Sequence, residues 1–331
     1  MERILVTGGA GFVGSNLVRK LQALHPRARI VVVDDMRSGT FANLVAGPGE
    51  DFVFRGTVIA RPLREIDLDD LAHQLRPQVI FHEASITDTT VSDEAAMIED
   101  NVAPFRVLLP LARDIEARLV WASSAATYGT QANGATAARR PFKLEDAGAP
   151  ANVYGFSKWL MENLHRQFRD RHPEAQVVGL RYFNVFGPRE QHKGHMASMI
   201  YRLASSMLDG RRPRIFTDGE QARDQVPVDD VVDATIAAAG DGAVSGIYNV
   251  GSGTATTFNR IIERLSEAIN MHRETEYFEN PFPFYQDFTC ADLSRTEQGL
   301  GWRPGHDVDE AIRAYAHHLA AEHAGAAITA D

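Results

Sequence analysis

Tyr154 and Lys158 stand four residues apart at the start of a helical stretch, a spacing that sets both on one face. A tyrosine titrates near pH 10 in water, and a neighbouring ammonium favours its ionised form. Such a pair could withdraw the proton from a substrate hydroxyl. The plain alternative is a chance surface pair. The chain has 8 Tyr, and of its 34 Lys and Arg only Lys20, Lys143, Lys158 and Lys193 are lysine. Chance then gives roughly 0.1 pairs at this spacing, so the pair carries information. Upstream, Trp121-Ala122-Ser123-Ser124 closes an apolar run. Ser124 is the candidate to hydrogen-bond the reacting hydroxyl, whereas Ser123 could serve the fold only.

A second constellation lies at the N-terminus. Thr7-Gly8-Gly9-Ala10-Gly11-Phe12-Val13-Gly14 follows the first apolar run and opens a helical period. Gly8, Gly11 and Gly14 allow a tight turn and let backbone N–H groups reach a pyrophosphate; Phe12 and Val13 lie between them. Asp34 ends the next apolar run, placed to accept from an adenosine ribose. A tight structural turn alone would not require that acid. Asp34 and Asp35 together would repel a 2′-phosphate, which favours NAD over NADP; Arg37 is the counterweight. An oxidised nicotinamide would add its positive charge to the pull of Lys158 on Tyr154.

Elements must position these residues. Apolar β-branched runs at Arg3–Thr7, Arg29–Val33, Phe52–Phe54, Val79–His82 and Arg118–Ala122 alternate with helical periods at Val13–Leu24, Ala96–Ile115 and Asn152–Arg171. Later strands are expected at Val177–Asn184 and Ile247–Val250. This alternation predicts an α/β fold, a Rossmann-type doubly wound parallel sheet, with a smaller mixed C-terminal substrate lobe. We expect residues 1–182 to form the dinucleotide domain, with elements near 225–250 returning to it. Residues 183–224 and 251–331 form the lobe, and helices are expected in the second half at Lys193–Leu208, Asp229–Ala239 and Thr257–Ile269. No internal repeat occurs, and only the tail after Glu322 is Ala-rich.

Composition excludes several classes. With 44% hydrophobic and 24% charged residues the chain is globular. A net charge of −10 argues against nucleic acid as the main partner. Its single cysteine, Cys290, allows no internal disulfide. No apolar run is long enough to span a membrane, and the N-terminus reads as a strand rather than a signal peptide, so a cytoplasmic protein is expected. His192/His195 and His317/His318 lack convergent acidic or thiolate partners, and no metal site is expected.

The glycine spacing, the serine at a strand end and the Tyr-x-x-x-Lys pair resemble the extended short-chain dehydrogenase/reductase superfamily of nucleotide-sugar epimerases and dehydratases. So do Phe81-His82-Glu83-Ala84, Ser124–Gly129 and Arg181–Arg189. The resemblance covers nearly the whole chain. It implies a tightly bound NAD (NADP being the alternative), a nucleotide-diphosphate sugar as substrate and a homo-oligomer. By the same resemblance Glu83, Ala84, Ser85, Asn101 and Val185 serve the cofactor.

Within the superfamily, Gly187–Ser198 and Tyr285-Gln286-Asp287-Phe288-Thr289 are most similar to the ADP-L-glycero-D-manno-heptose 6-epimerases. That family implies transient oxidation at C6, rotation of the carbonyl and return of hydride to the other face. Two acid/base groups follow, with Tyr154 as one and Lys193 as the other. Lys193 could serve only if burial or a nearby cation drew its pKa down from about 10.4; otherwise it is a surface lysine or a phosphate contact. Arg223 matches the diphosphate-binding arginine, and its fork suits two phosphate oxygens. Asn184, Phe216 and Tyr285 are expected at the substrate. His195 stands where the family has a small serine and Arg202 where it has a histidine, so both could reshape sugar choice. Ala125-Ala126 lacks the acid pair of the 4,6-dehydratases. A UDP-hexose 4-epimerase is the nearest alternative, and a non-catalytic NAD(P)-binding sensor is the alternative of a different class.

Overall fold

The computed structural model describes residues 1–45, 52–129, 139–216, 218–280 and 286–329. In chain order, β1 (Arg3–Thr7), α1 (Phe12–Leu24), β2 (Arg29–Val33), β3 (Thr57–Ile59), α2 (Leu68–Leu75) and β4 (Val79–His82) build the first half. There follow α3 (Glu94–Met97), α4 (Ala103–Asp114), β5 (Arg118–Ser124), α5 (Val153–Arg171), β6 (Val177–Tyr182) and β7 (Asn184–Phe186). The remainder comprises α6 (Met199–Leu208), β8 (Arg214–Phe216), β9 (Ala222–Pro227), α7 (Val228–Ala238), β10 (Gly246–Val250), β11 (Ala255–Thr257), α8 (Phe258–Ile269), β12 (Glu276–Phe278), α9 (Ser294–Leu300) and α10 (Val308–Thr329).

Seven strands form one parallel sheet in the order β10-β6-β5-β4-β1-β2-β3. Alternate side chains of each strand enter opposite layers. Ile4 and Val6 pack with Leu17 and Leu21 of α1 and Val231 of α7. Leu5 packs on the other face with Phe105 and Leu108 of α4 and Met161 of α5. Burial on both faces explains why these strands read as continuous apolar runs. Strand order reverses between β1 and β4, so the chain leaves their C-terminal ends in opposite directions and opens a crevice there. Smaller sheets, β11-β9-β7 and β12-β8, flank it. A separate core of Ile200, Leu203, Phe258, Ile261, Leu265 and Ile312 joins α6, α8 and α10.

Three expectations are corrected. Phe52–Phe54 is not the third strand: Val53 forms only an isolated bridge to Val45, and Thr57–Ile59 pairs with β2. The stretch Ala96–Ile115 is not one uniform helix, because a π turn at Ile98–Val102 separates α3 from α4. The helix expected at Lys193–Leu208 starts at Met199; before it a 3₁₀ segment, Gln191–Met196, is interrupted at Gly194, whose φ of 54° and ψ of −119° lie outside any helix. The Ala-rich tail continues α10 to Thr329.

Candidate active site

The crevice at the switch point is a cleft of about 990 Å³, at the upper end of the size range of small-molecule sites. Gly8 turns out of β1 at φ +73°, and a Cβ there would lie 2.5 Å from the backbone N of Ala84. Gly14 is tighter still, since its Cβ would overlap the carbonyl oxygen of Gly8. A Cβ on Gly11 would meet only that same oxygen, at 3.3 Å, leaving its other side open. Gly11 is the N-cap of α1 and makes no side-chain cap, so the first N–H groups of the helix are left for a ligand. This cradle fits a dinucleotide pyrophosphate.

Asp34 does more than await a ribose. Its Oδ2 accepts from Ala10 N and its Oδ1 from Met36 N, both at 2.9 Å, so it braces the glycine turn. Burial raises its pKa, opposed by those backbone donors. Arg37 is held by two carboxylates, Asp100 at 2.6 Å and Asp35 at 3.2 Å, and Arg64 pairs with Asp100 as well. Asp100, Arg61 and Arg64 line the cleft beside Asp35. Sequence reading missed this cluster because its members come from three segments far apart in the chain: the loop after β2, the turn at Leu63–Glu65 and the π turn at Ile98–Val102. Asn101 stands behind the wall: its Oδ1 accepts from Ile86 N at 2.7 Å, and its Nδ2 donates to Ile86 O and Ser157 Oγ. It fixes the loop after β4, where Glu83, Ala84 and Ser85 line the cleft.

Ser124, Tyr154 and Lys158 meet at the C-terminal end of β5. Asn152 caps α5 by accepting from Gly155 N at 2.7 Å, which fixes where the helix begins and aims Tyr154 inward. Lys158 is 2% exposed; its Nζ donates to Ala122 O at 2.7 Å and lies 5.9 Å from the centre of the Tyr154 ring. Burial pushes Lys158 down to about 8, with Glu83 opposing. The expected lowering of Tyr154 is not realised by the protein alone. Burial raises its pKa, and a hydrogen bond with Ser124 only partly offsets this. The phenol is therefore kept neutral until further positive charge enters the cleft. Ser123 serves the fold, donating to Glu162 Oε1 at 2.7 Å.

Lys193 lines the same cleft, its Nζ 5.3 Å above the Phe12 ring. Burial lowers its pKa, and the carboxylate of Glu190 opposes. Its segment is anchored from both sides. Glu190 accepts from Gly187 N and Ser198 Oγ, and Arg189 donates to Asn16 Oδ1 of α1. The glycine turn and Lys193 are thus parts of one rigid assembly.

Asn184, Val185, His195 and Arg223 also line the cleft. Arg223 is 8% exposed, with Nη1 donating to Ala222 O at 3.0 Å. His195 lies 3.6 Å from Asp88. Two expected substrate residues are not part of this lining: Arg202 is exposed on α6, with Nη1 against Met199 Sδ at 3.5 Å, and Phe216 packs edge-on against Phe278. Tyr285 lies outside the described residues. Phe258 and Gln225 line the cleft and were not anticipated; each reads from sequence as ordinary helix or strand. Among the described residues, no three His, Cys, Asp or Glu converge as metal ligands, and no helix is long and apolar enough to cross a membrane.

Comparisons with known proteins agree with this geometry. Residues 4–251 match the NAD dependent epimerase/dehydratase family. The structure of ADP-L-glycero-D-manno-heptose-6-epimerase from Helicobacter pylori is 35% identical, with a TM-score of 0.84, over 96% of each chain. UDP-glucose 4-epimerase from Thermotoga maritima, solved with UDP-glucose, is 27% identical with a TM-score of 0.85, over 96% of this chain and 99% of that one. UDP-glucose 4-epimerase from Thermus thermophilus, solved with NAD, is 28% identical with a TM-score of 0.80, over 96% and 98%. The glycine cradle, the Tyr154–Lys158 pair and this match over three quarters of its length agree: the chain is an enzyme of the NAD-dependent epimerase/dehydratase family.

Proposed function

We propose that this enzyme epimerises C6 of an ADP-heptose by transient oxidation. The observation that carries the reading is Lys193, a half-buried lysine in the cleft that also holds Tyr154. A carbinol outside the sugar ring can be inverted by turning only its own carbon. Its oxygen then occupies two places, and two proton-carrying groups are needed. A 4-epimerase that turns the whole sugar presents its oxygen to the same group twice. The 35% identity to the H. pylori heptose epimerase supports the same choice.

Gly8, Gly11, Gly14 and Asp34 would hold NAD, which when bound supplies the hydride acceptor. Arg223 and Asn184 grip the nucleotide diphosphate side of the substrate. Ser124 orients the C6 hydroxyl, and Tyr154 takes its proton as hydride leaves the carbon. Lys158 donates to Ala122 O and keeps positive charge beside the resulting tyrosinate. After the 6-keto group turns, Lys193 delivers a proton to the oxygen as hydride returns to the carbon. The two groups re-equilibrate with solvent before the next turnover.

Proton NMR of the protein with ADP-D-glycero-D-manno-heptose and no added cofactor tests the reading. The L-glycero epimer is expected to appear. An unchanged heptose, with UDP-glucose converted instead, would transfer the same cleft to a 4-epimerase. Lys193→Met should lower turnover by about 10²-fold or more while the affinity for substrate changes little. Unchanged turnover would remove Lys193 from the proton transfers.

A further inference from the structure

Glu83 leaves β4 at the point where strand order reverses, and its position is fixed by the glycine turn: a Cβ on Gly8 would lie 2.7 Å from the Glu83 carbonyl carbon. Its side chain faces the same cleft as Tyr154 and Lys158. Oε1 lies 3.0 Å from Tyr182 Oη, which in turn lies 2.7 Å from Thr235 Oγ1. Thr235 donates to Val231 O at 2.7 Å. The proton count along this chain is informative. When Glu83 is neutral it can donate to Tyr182, Tyr182 to Thr235, and Thr235 to Val231 O. When Glu83 is ionised, Tyr182 turns its one proton to the carboxylate and Thr235 keeps its bond. Neither state leaves a donor without a partner.

The charged groups around Glu83 are few. Lys158 faces it from α5, together with the phenol of Tyr154; Tyr182 comes from β6. His82, next along β4, is buried and pushed down to about 3, so it stays neutral. Lys158 is thus the cation at this end of the cleft, and Glu83 is its counter-charge. An oxidised nicotinamide carries one positive charge that its reduced form lacks.

We propose that Glu83, held by Tyr182 and Thr235, is a positioning residue whose carboxylate balances the charge of an oxidised nicotinamide beside Lys158 and so sets the preference between oxidised and reduced cofactor. This rests on the dinucleotide reading above and goes beyond it. Burial pushes the Glu83 carboxyl up to about 7, against the Tyr182 hydrogen bond and Lys158. It follows that the preference changes near neutral pH. Ionised Glu83 stabilises the cationic form above about pH 7, and that help is lost as pH falls and the carboxyl takes up its proton.

Equilibrium binding of NAD⁺ and of NADH to the full chain tests this without reference to turnover. Glu83→Gln is expected to weaken NAD⁺ relative to NADH by about fivefold at pH 7.5. At pH 6 the two proteins should converge. Tyr182→Phe removes a donor that favours the carboxylate, and should move the wild-type change to higher pH. An equal NAD⁺/NADH ratio in wild type and Glu83→Gln at pH 7.5 overturns the inference alone. Failure of the wild-type chain to bind either dinucleotide overturns the dinucleotide reading and this inference together. Should Glu83→Gln not fold, a wild-type ratio that is constant between pH 6 and 7.5 is the overturning result.

Discussion

Replacing Tyr154 by Phe is expected to leave the dinucleotide bound and to lower turnover by about 10³-fold, within the range for loss of a general acid–base group. The change is confined to one oxygen. The ring is 8% exposed and its shape is kept, while α5 retains its Asn152 cap and Lys158 retains its bond to Ala122 O. The cradle of Gly8, Gly11 and Gly14 is untouched. Only the group able to take a proton at the Ser124 position is removed. Because burial raises the Tyr154 pKa in the protein alone, ionisation must be driven by charge arriving with the cofactor. Turnover should therefore vanish without a matching loss of bound nucleotide. Nucleotide released on denaturation, measured by absorbance, and epimer formed, measured by NMR, give the two quantities. Turnover near wild type would remove Tyr154 from the proton transfer. Joint loss of nucleotide and turnover would make it a binding residue instead.

Much of the sheet and of the cofactor cradle was legible in the sequence because each rests on local rules. Apolar runs such as Arg29–Val33 are buried on both faces, and a glycine turn between strand and helix has few other uses. The third strand lies further along the chain than its apolar residues suggest. Thr57–Ile59 is partly exposed at the sheet edge, so its apolar content is no higher than that of its neighbours. Gly194 hides the break before α6, since a glycine in a helical period is unremarkable until its backbone angles are known. Arg202, expected at the substrate, is exposed on α6 and is not part of the cleft lining, for a related reason. The helix carrying it begins at Met199 rather than Lys193, and the cleft is reached instead through Met196–Met199. The acidic and basic cluster of Asp35, Arg37, Arg64 and Asp100 was invisible because no periodicity links segments so far apart. Pairings across the sheet carry that information, and the sequence alone does not print them.

The second large effect is expected in stability, one residue away from the chemistry. Arg181 is 0% exposed and grips Glu162 with two bonds, Nε to Oε1 and Nη2 to Oε2, both 2.7 Å. Its Nη1 donates to Tyr128 Oη, whose own proton goes to Asn249 Oδ1 at 2.6 Å. Ser123 donates to the same carboxylate. One network thus joins β5, α5, β6 and β10, directly behind Ser124. Arg181→Met should cost about 3–5 kcal/mol, because it strands the buried Glu162 carboxylate rather than merely deleting an attraction. Arg166, at 2.7 Å from Oε2 but 41% exposed on its side chain, is too well solvated to replace a bidentate buried partner. Adding Glu162→Gln to Arg181→Met should recover part of the loss, since the stranded charge disappears. Urea unfolding of the wild type, each single variant and the double variant measures the coupling. A loss under about 1 kcal/mol in Arg181→Met would mean that Arg166 and Ser123 suffice to hold Glu162. A full loss without recovery in the double variant would place the cost in the orphaned Tyr128 and in the β5 end it supports. In that case the damage should extend to Ser124 and appear as reduced turnover in whatever fraction remains folded.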